Sequence, residues 1–315
     1  MTAYIVRRFL QAIVILLGVT LLTFILLKLI PGSTARAILG PRATALQIAY
    51  FDQQNGLNHP IVVQYFVYLG HLLHGNLGYS YKLNQSVDSI LAQKLPKSLA
   101  LVGPPAVLAL LIGVPLGIWQ ALRRDKVEDH VLTGVSYVLY AMPDFWLAFI
   151  LIDIFALRLF WLPPVAPSGA TWTIAFTDAK AMILPWATLT LVSIALYSRY
   201  MRSAALDALS QDYIRTARAK GARGWRVLRK HVLRNACIPI ITLIGLSIPG
   251  LLSGAIIEEY VFNYPGIALA TLNAAFTKDY PILLGTTVVF GALVIAGNLI
   301  ADLAYAFADP RVRLA

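Results

Sequence analysis

Six stretches of roughly twenty residues, almost free of charge, recur along this chain of 315 residues and limit its possible folds more than any other feature. They cover residues 9–27, 99–122, 131–157, 181–198, 236–257 and 280–301. A helix rises about 1.5 Å per residue, so about twenty apolar residues cross the hydrocarbon core of a bilayer. Each run far exceeds a barrel strand, and an open sheet leaves its backbone unsatisfied in lipid, so the pattern predicts helices. Composition agrees: 58% of residues are hydrophobic and 13% charged, where a soluble domain carries about 25% charged residues. The third run contains Asp144 and Asp153, and the fourth contains Pro185.

The first run follows Arg7 and Arg8 and precedes "TARA", which holds the Ala-x-Ala pattern of a signal cleavage site. A signal core is about 7 to 15 residues; this run is longer and five more follow it, so it is expected to be retained as a span. Six spans put both termini on one side. With the N-terminus inside, 17 of the 26 Lys and Arg fall on inner segments, ten of them in 199–234. Most of the remainder lie in 31–97, a segment long enough for the charge rule to ignore. The predicted orientation is N-in and C-in. Segment 31–98 is punctuated by "NGLNHP" and "HGNLGYS" around an apolar stretch whose Val62, Tyr65, Phe66 and Leu69 fall at helical spacing, which predicts a small external cap of short helices. The fold expected is therefore an all-α membrane protein: six transmembrane helices, a small external helical cap between helices 1 and 2, and a cytoplasmic hairpin between helices 4 and 5.

Catalytic signatures are sparse. The dipeptide Gly-Lys never occurs, so the chain has no P-loop of its own, and no H-E-x-x-H appears. The five histidines show no metal-ligand spacing, and the single Cys237 permits no disulfide framework within the chain. No metal, no catalytic residue and no nucleic-acid partner is expected. The pairs Gly113/Gly117 and Gly250/Gly254 have the small-xxx-small spacing that lets helices approach closely. Prolines 104, 105, 115, 143, 185, 239 and 249 predict kinked spans, which suit a protein that encloses a cavity. Pro143, Asp144 and Asp302 are the candidate pathway residues, since an acid at membrane depth is costly unless it meets water or a partner. The plainer alternative for both acids is structural, capping a broken helix or bonding a neighbouring chain.

The densest basic stretch is "YIRTARAKGARGWRVLRKHVLRNACIPIIT", residues 213–242. Ser210 is the expected N-cap of a first short helix, Asp212 adds a favourable first-turn charge, and Gly221 is its expected stop. A second helix from Gly224 places Trp225, Leu228 and Val232 on one face, with Pro239 completing its anchorage. Cationic amphipathic segments at a membrane face usually anchor to lipid headgroups. Two helices broken by glycine make instead a projecting elbow that another protein can grip.

That stretch resembles the EAA loop of ABC importer permeases in the form of the peptide/nickel subfamily, although the glutamate that names the loop is absent around Arg215, Thr216 and Ala217. The opening "MTAYIVRRFLQAIVILLGVTLLTFILLKLIPG", the segments "PDFWLAF", "EEYVFNYPGI" and "KDYPILLGTTVV", and the ending "DLAYAFADPRVR" are similar to blocks of the first permease chain of dipeptide and oligopeptide importers. The resemblance implies a heterodimer with a homologous second permease, two cytoplasmic ABC ATPase subunits, an extracytoplasmic substrate-binding protein, and residence in a bacterial-type inner membrane. ATP and Mg would be bound by the ATPases, leaving this chain without a cofactor. It implies an ATPase-coupling role for Asp212, Tyr213, Ile214, Arg215, Thr216, Ala217, Arg218, Ala219, Lys220, Gly221 and Arg223; Tyr213, Ala217 and Lys220, spaced i, i+4 and i+7, fall on one side of the helix, the expected docking side. The division that follows is 1–30 for the tail and first span, 31–98 for the cap, and 99–315 for the permease core with its coupling loop at 199–235. Peptides are the cargo implied; nickel or another small solute is the alternative, and a secondary transporter would need an inverted repeat that the sequence lacks.

Overall fold

The structure is a computed structural model, and it describes residues 2–29, 34–40, 42–169 and 171–308. In chain order its helices are α1 (Thr2–Leu29), α2 (Thr34–Leu39), α3 (Ala45–Gln54), α4 (Ile61–Leu73), α5 (Val87–Leu122), α6 (Val127–Ala141), α7 (Asp144–Leu151), α8 (Ile174–Thr177), α9 (Ala179–Ser210), α10 (Asp212–Ala219), α11 (Gly224–Val227), α12 (Leu233–Val261), α13 (Ile267–Thr277) and α14 (Tyr280–Ala308). A short antiparallel hairpin, β1 (Tyr79–Ser80) with β2 (Gln85–Ser86), precedes α5. Two π-helical segments, Ile152–Arg158 and Leu228–Val232, follow α7 and α11.

Among the described residues four helices are long and apolar enough to cross a membrane, and a fifth crossing is counted if the bent pair α6 and α7 is one span. The six-helix expectation differs in two places. The third run is no continuous span: the chain breaks at Met142 and Pro143, and the two helical pieces meet at 106°. Proline lacks an N–H and disfavours the helical conformation in its predecessor, so Met142 adopts an extended backbone there. The fifth run lies within α12, a helix of 29 residues, part of whose side chains fall outside the described residues. Elsewhere the helices absorb their prolines: α5 continues for 36 residues through Pro96, Pro104, Pro105 and Pro115.

The chain forms two compact units. The first comprises residues 1–98, 170–172 and 265–295. The segment expected to form a cap contains three short helices, α2 to α4, and the β-hairpin. The expected apolar helix is α4, whose buried Tyr65 donates its hydroxyl to the Leu17 carbonyl at 3.1 Å and packs edge-on to Phe24. The hairpin is tied to the α13–α14 turn: Ser80 Oγ donates to Asp279 Oδ2 at 2.5 Å and Lys82 Nζ to the Thr277 carbonyl. Val87, Ile90, Leu91, Ile267, Ala274 and Ile282 form the core of this unit.

The second unit comprises residues 99–169, 173–264 and 296–315. Its spine is α9, which packs on α6, α7 and α12. One core cluster gathers Leu101, Met182, Leu184, Phe262 and Tyr264. Burial, with the Glu259 charge adding, pushes the Tyr264 hydroxyl up to about 12. Helices α5 and α9 touch at the predicted glycine pair. A Cβ on Gly117 would lie 2.4 Å from the Ser198 carbonyl oxygen, and one on Gly113 would lie 3.1 Å from Tyr197 Cβ. The Gly250/Gly254 pair lies outside the residues whose side chains are described.

Candidate coupling elbow and transmembrane pathway

The basic stretch folds into an elbow, and its local rules differ in part from those expected. Gln211, not Ser210, is the N-cap of α10, because α9 runs on through Ser210, whose hydroxyl bonds back to the Asp207 carbonyl at 2.8 Å. Helix α10 ends at Ala219, Lys220 is its C-cap, and Gly221 takes the left-handed conformation with φ of 79°, as a glycine stop requires. The second arm is no separate helix: α11 passes through the π segment directly into α12. A π turn widens the helix and is often met at functional positions.

A buried seam fixes the elbow. Ile214, Val227 and Val232, each no more than 2% exposed, pack with Met201, Ala205, Ala208, Ala236 and Ile240. Tyr213 Oη accepts from Asn235 Nδ2 at 3.0 Å, which pins α10 to the first turn of α12. Two expectations are corrected here. Ala217 is not on an outward docking face; it is half-buried against this seam, because the i to i+3 offset from Ile214 turns it inward. Trp225 is 68% exposed and Pro239 is also exposed, so the second arm is held by Val227 and Val232. Asp212, Tyr213, Arg215, Thr216, Arg218, Ala219, Lys220, Gly221 and Arg223 are exposed and form the elbow's outer surface. The Asp212–Arg215 ion pair on it, 3.4 Å long and almost fully exposed, contributes little.

Behind the elbow stands a pair that sequence reasoning missed. Arg202 on α9 grips Asp129 on α6 bidentately, Nε to Oδ1 at 2.7 Å and Nη2 to Oδ2 at 2.6 Å, and Asp129 is fully buried. The Asp125 N–H donates to the same carboxylate at 3.2 Å. The only signal was an acid two residues before an apolar run, within "RRDKVEDH".

The pathway candidates are spread over several elements. Pro143 is the N-cap of α7 and Asp144 its first residue, half-buried at the break between α6 and α7. The side chain of Asp302, on α14, lies outside the described residues. The structure adds Glu258, near the end of α12: it is 1% exposed, and neither carboxyl oxygen has a hydrogen-bond partner among the described residues. Helix α7, whose first residue is Asp144, packs on α12. The sequence signal was "EE" closing an uncharged run of 22 residues.

A multi-spanning helical membrane protein with an exposed basic elbow is the class this architecture defines. The family follows from comparison. Residues 113–314 match the model of the binding-protein-dependent transport system inner membrane component, and residues 1–102 match that family's N-terminal region, so the chain belongs to this family of transporter permeases. The oligopeptide transport system permease protein AppB of Bacillus subtilis is 39% identical, over 99% of both chains. A putative peptide permease protein of Brucella ovis is 40% identical over the whole of both, and the dipeptide transport system permease protein DppB of Alkalihalophilus pseudofirmus is 36% identical over 99% of this chain and 100% of that one. Among solved structures, the inward-facing MetNI methionine ABC transporter matches with a TM-score of 0.55 at 15% identity, over 70% of this chain and 96% of that one, which establishes the shared fold. The chain is a multi-pass membrane component of a transporter complex.

Proposed function

We propose that this chain is the peptide permease subunit of an ATP-driven importer, forming half of the translocation pathway beside a homologous second permease. The observation that carries the reading is full-length similarity, at 36 to 40% identity, to chains named as oligopeptide, peptide and dipeptide permeases. Two cytoplasmic ATPase subunits bind ATP and Mg; an extracytoplasmic binding protein delivers the peptide to the side bearing residues 31–98. Both termini face the cytoplasm.

The mechanics follow from the elbow. A lever transmits force only if its fulcrum is stiff. Here α10 is joined without a loop to α9, the π segment joins α11 to α12, and the seam of Ile214, Val227 and Val232 holds both arms. The Asp129–Arg202 pair braces α9 against α6 two turns above the elbow. Closure of the ATPases on bound ATP moves the outer surface of α10, from Asp212 to Lys220, and the braced helices carry that motion to the break at Pro143. Asp144 lines the path that opens there. The test is purification of the tagged chain and reconstitution of what accompanies it. Two ATPase subunits, with hydrolysis stimulated by peptide-loaded binding protein, are the outcome expected; a chain that moves peptide without an ATPase overturns the reading.

A further inference from the structure

Where α1 ends and α14 begins, the first unit holds a cavity of about 240 Å³. The two helices run antiparallel. A Cβ on Gly291 would lie 3.0 Å from Leu16 Cδ1 midway along them, while Lys28 in the last turn of α1 and Tyr280 at the start of α14 both line the cavity. Lys28 closes one uncharged run and Tyr280 opens another, so the cavity lies at the level where apolar spans give way to polar chain, a membrane interface. Its remaining walls are the turn after α3 and one side of α4. Helix α4 does not suit water. Tyr65 faces α1, yet Ile61, Val62, Phe66, Val67 and Leu73 on the rest of its surface are exposed, Phe66 by 65% and Leu73 by 86%. A helix that turns apolar residues outward in this way fits the headgroup level of a bilayer.

The polar groups around this cavity favour one sign of charge. Lys28 is half-buried with its Nζ 5.6 Å from the centre of the Phe24 ring, and it makes no ion pair among the described residues. Tyr68, on the α4 wall, stacks on the same ring, and its hydroxyl is buried with no hydrogen-bond partner among the described residues. His59 and His71 add imidazoles, and no lining residue is acidic. Phe24, Leu27, Val63, Val67 and Leu284 supply apolar walls. A cation beside apolar walls, with no acid to receive a second positive charge, matches an amphiphile whose head is net negative. We propose that this cavity is a lipid site that seats the phosphate and glycerol of an anionic phospholipid, such as phosphatidylglycerol, against Lys28. Its volume lies below the roughly 300 to 1,000 Å³ that enclose a drug-sized ligand, so the acyl chains lie outside, along the exposed apolar residues of α1 and α4. On the orientation proposed above, the lipid belongs to the outer leaflet and ties the first span to α4 and α14. The site is independent of what the transporter carries.

The experiment strips lipid from the purified protein, together with the subunits that accompany it, and titrates it in detergent with phosphatidylglycerol or with phosphatidylcholine of the same chains. Bound lipid is counted by native mass spectrometry. Wild type holds one phosphatidylglycerol that phosphatidylcholine does not replace and that Lys28→Gln binds about tenfold more weakly, the loss of roughly one charge-assisted hydrogen bond. Lys28→Arg keeps that lipid. Val67→Trp, which fills the cavity from a position already exposed, removes it. Retention of no lipid, equal retention of the two lipids, or binding unmoved in Lys28→Gln makes the lysine an ordinary contact with the surrounding bilayer and overturns the site. Displacement of the lipid by soluble glycerol phosphate, or by Ala-Ala-Ala, overturns it as well, since the cavity then takes a free phosphate ester or a peptide carboxylate. If Val67→Trp does not assemble, the two Lys28 variants decide.

Discussion

Two glycines in the membrane core give the same substitution opposite signs. In a helix interior, Gly→Ala stabilises by up to about 1 kcal/mol, because alanine loses less backbone freedom on folding. At Gly134 on α6 a Cβ would meet nothing within 4 Å, so Gly134→Ala receives that gain undiminished. At Gly117 on α5 the added methyl would stand 2.4 Å from the Ser198 carbonyl oxygen, 2.8 Å from Met201 Cβ and 2.9 Å from the Arg202 backbone nitrogen. Carbon contacts are optimal near 3.5 to 4.0 Å, and two of these three atoms are backbone, so α5 and α9 must separate by an ångström or more. Overpacking of this kind costs about 1 to 3 kcal/mol, which exceeds the propensity gain. The net expectation is up to about 2 kcal/mol of destabilisation at Gly117 and a gain of up to about 1 kcal/mol at Gly134. With about 2 °C of Tm per kcal/mol for a chain of this length, thermal unfolding in one detergent separates the two variants by up to about 6 °C. The displacement also strains Arg202, so Gly117→Ala lowers peptide-stimulated ATPase activity in the assembled complex. Gly117→Ala at or above the wild-type Tm refutes the close approach of α5 and α9.

Arg202→Ala leaves the fully buried Asp129 carboxylate uncompensated and destabilises by about 3 to 5 kcal/mol, read as thermal unfolding; adding Asp129→Ala recovers most of that loss, and failure to recover refutes the pair as its source. Gly221→Val meets no neighbour within 4 Å, so its penalty is the strain of a β-branched residue at φ of 79°, about 1 to 3 kcal/mol, confined to the elbow; co-purification of the ATPases falls while membrane insertion does not, and Gly221→Asn retains it. A cysteine at the exposed Gln85 reacts with an impermeant thiol reagent in intact cells; labelling only after lysis refutes the N-in orientation. The native Cys237, half-buried in α12, is the control that stays unlabelled.

The spans were legible because lipid admits one solution to the backbone: a long uncharged run must satisfy its N–H and C=O groups within itself, and only a helix does so. The helix α4 was legible from the spacing of its apolar residues, and Gly221 from the demand of a helix stop for positive φ. Depth and partnership were not legible. Pro143 announced a kink, but the 106° turn is set by what α7 packs against, and neither α9 nor α12 is adjacent in sequence. Ala217 was assigned to the outer face of α10 because helical periodicity gives a face its members but not its direction; the buried Ile214 settles that direction. Arg199 and Arg202 are one helical turn apart and chemically identical, and sequence alone treats them as two inner charges. Tertiary structure separates them, because α6 offers a carboxylate at Asp129 and aromatic rings at Tyr137 and Tyr140. One arginine is therefore paired, and the other keeps a buried donor without an acceptor among the described residues.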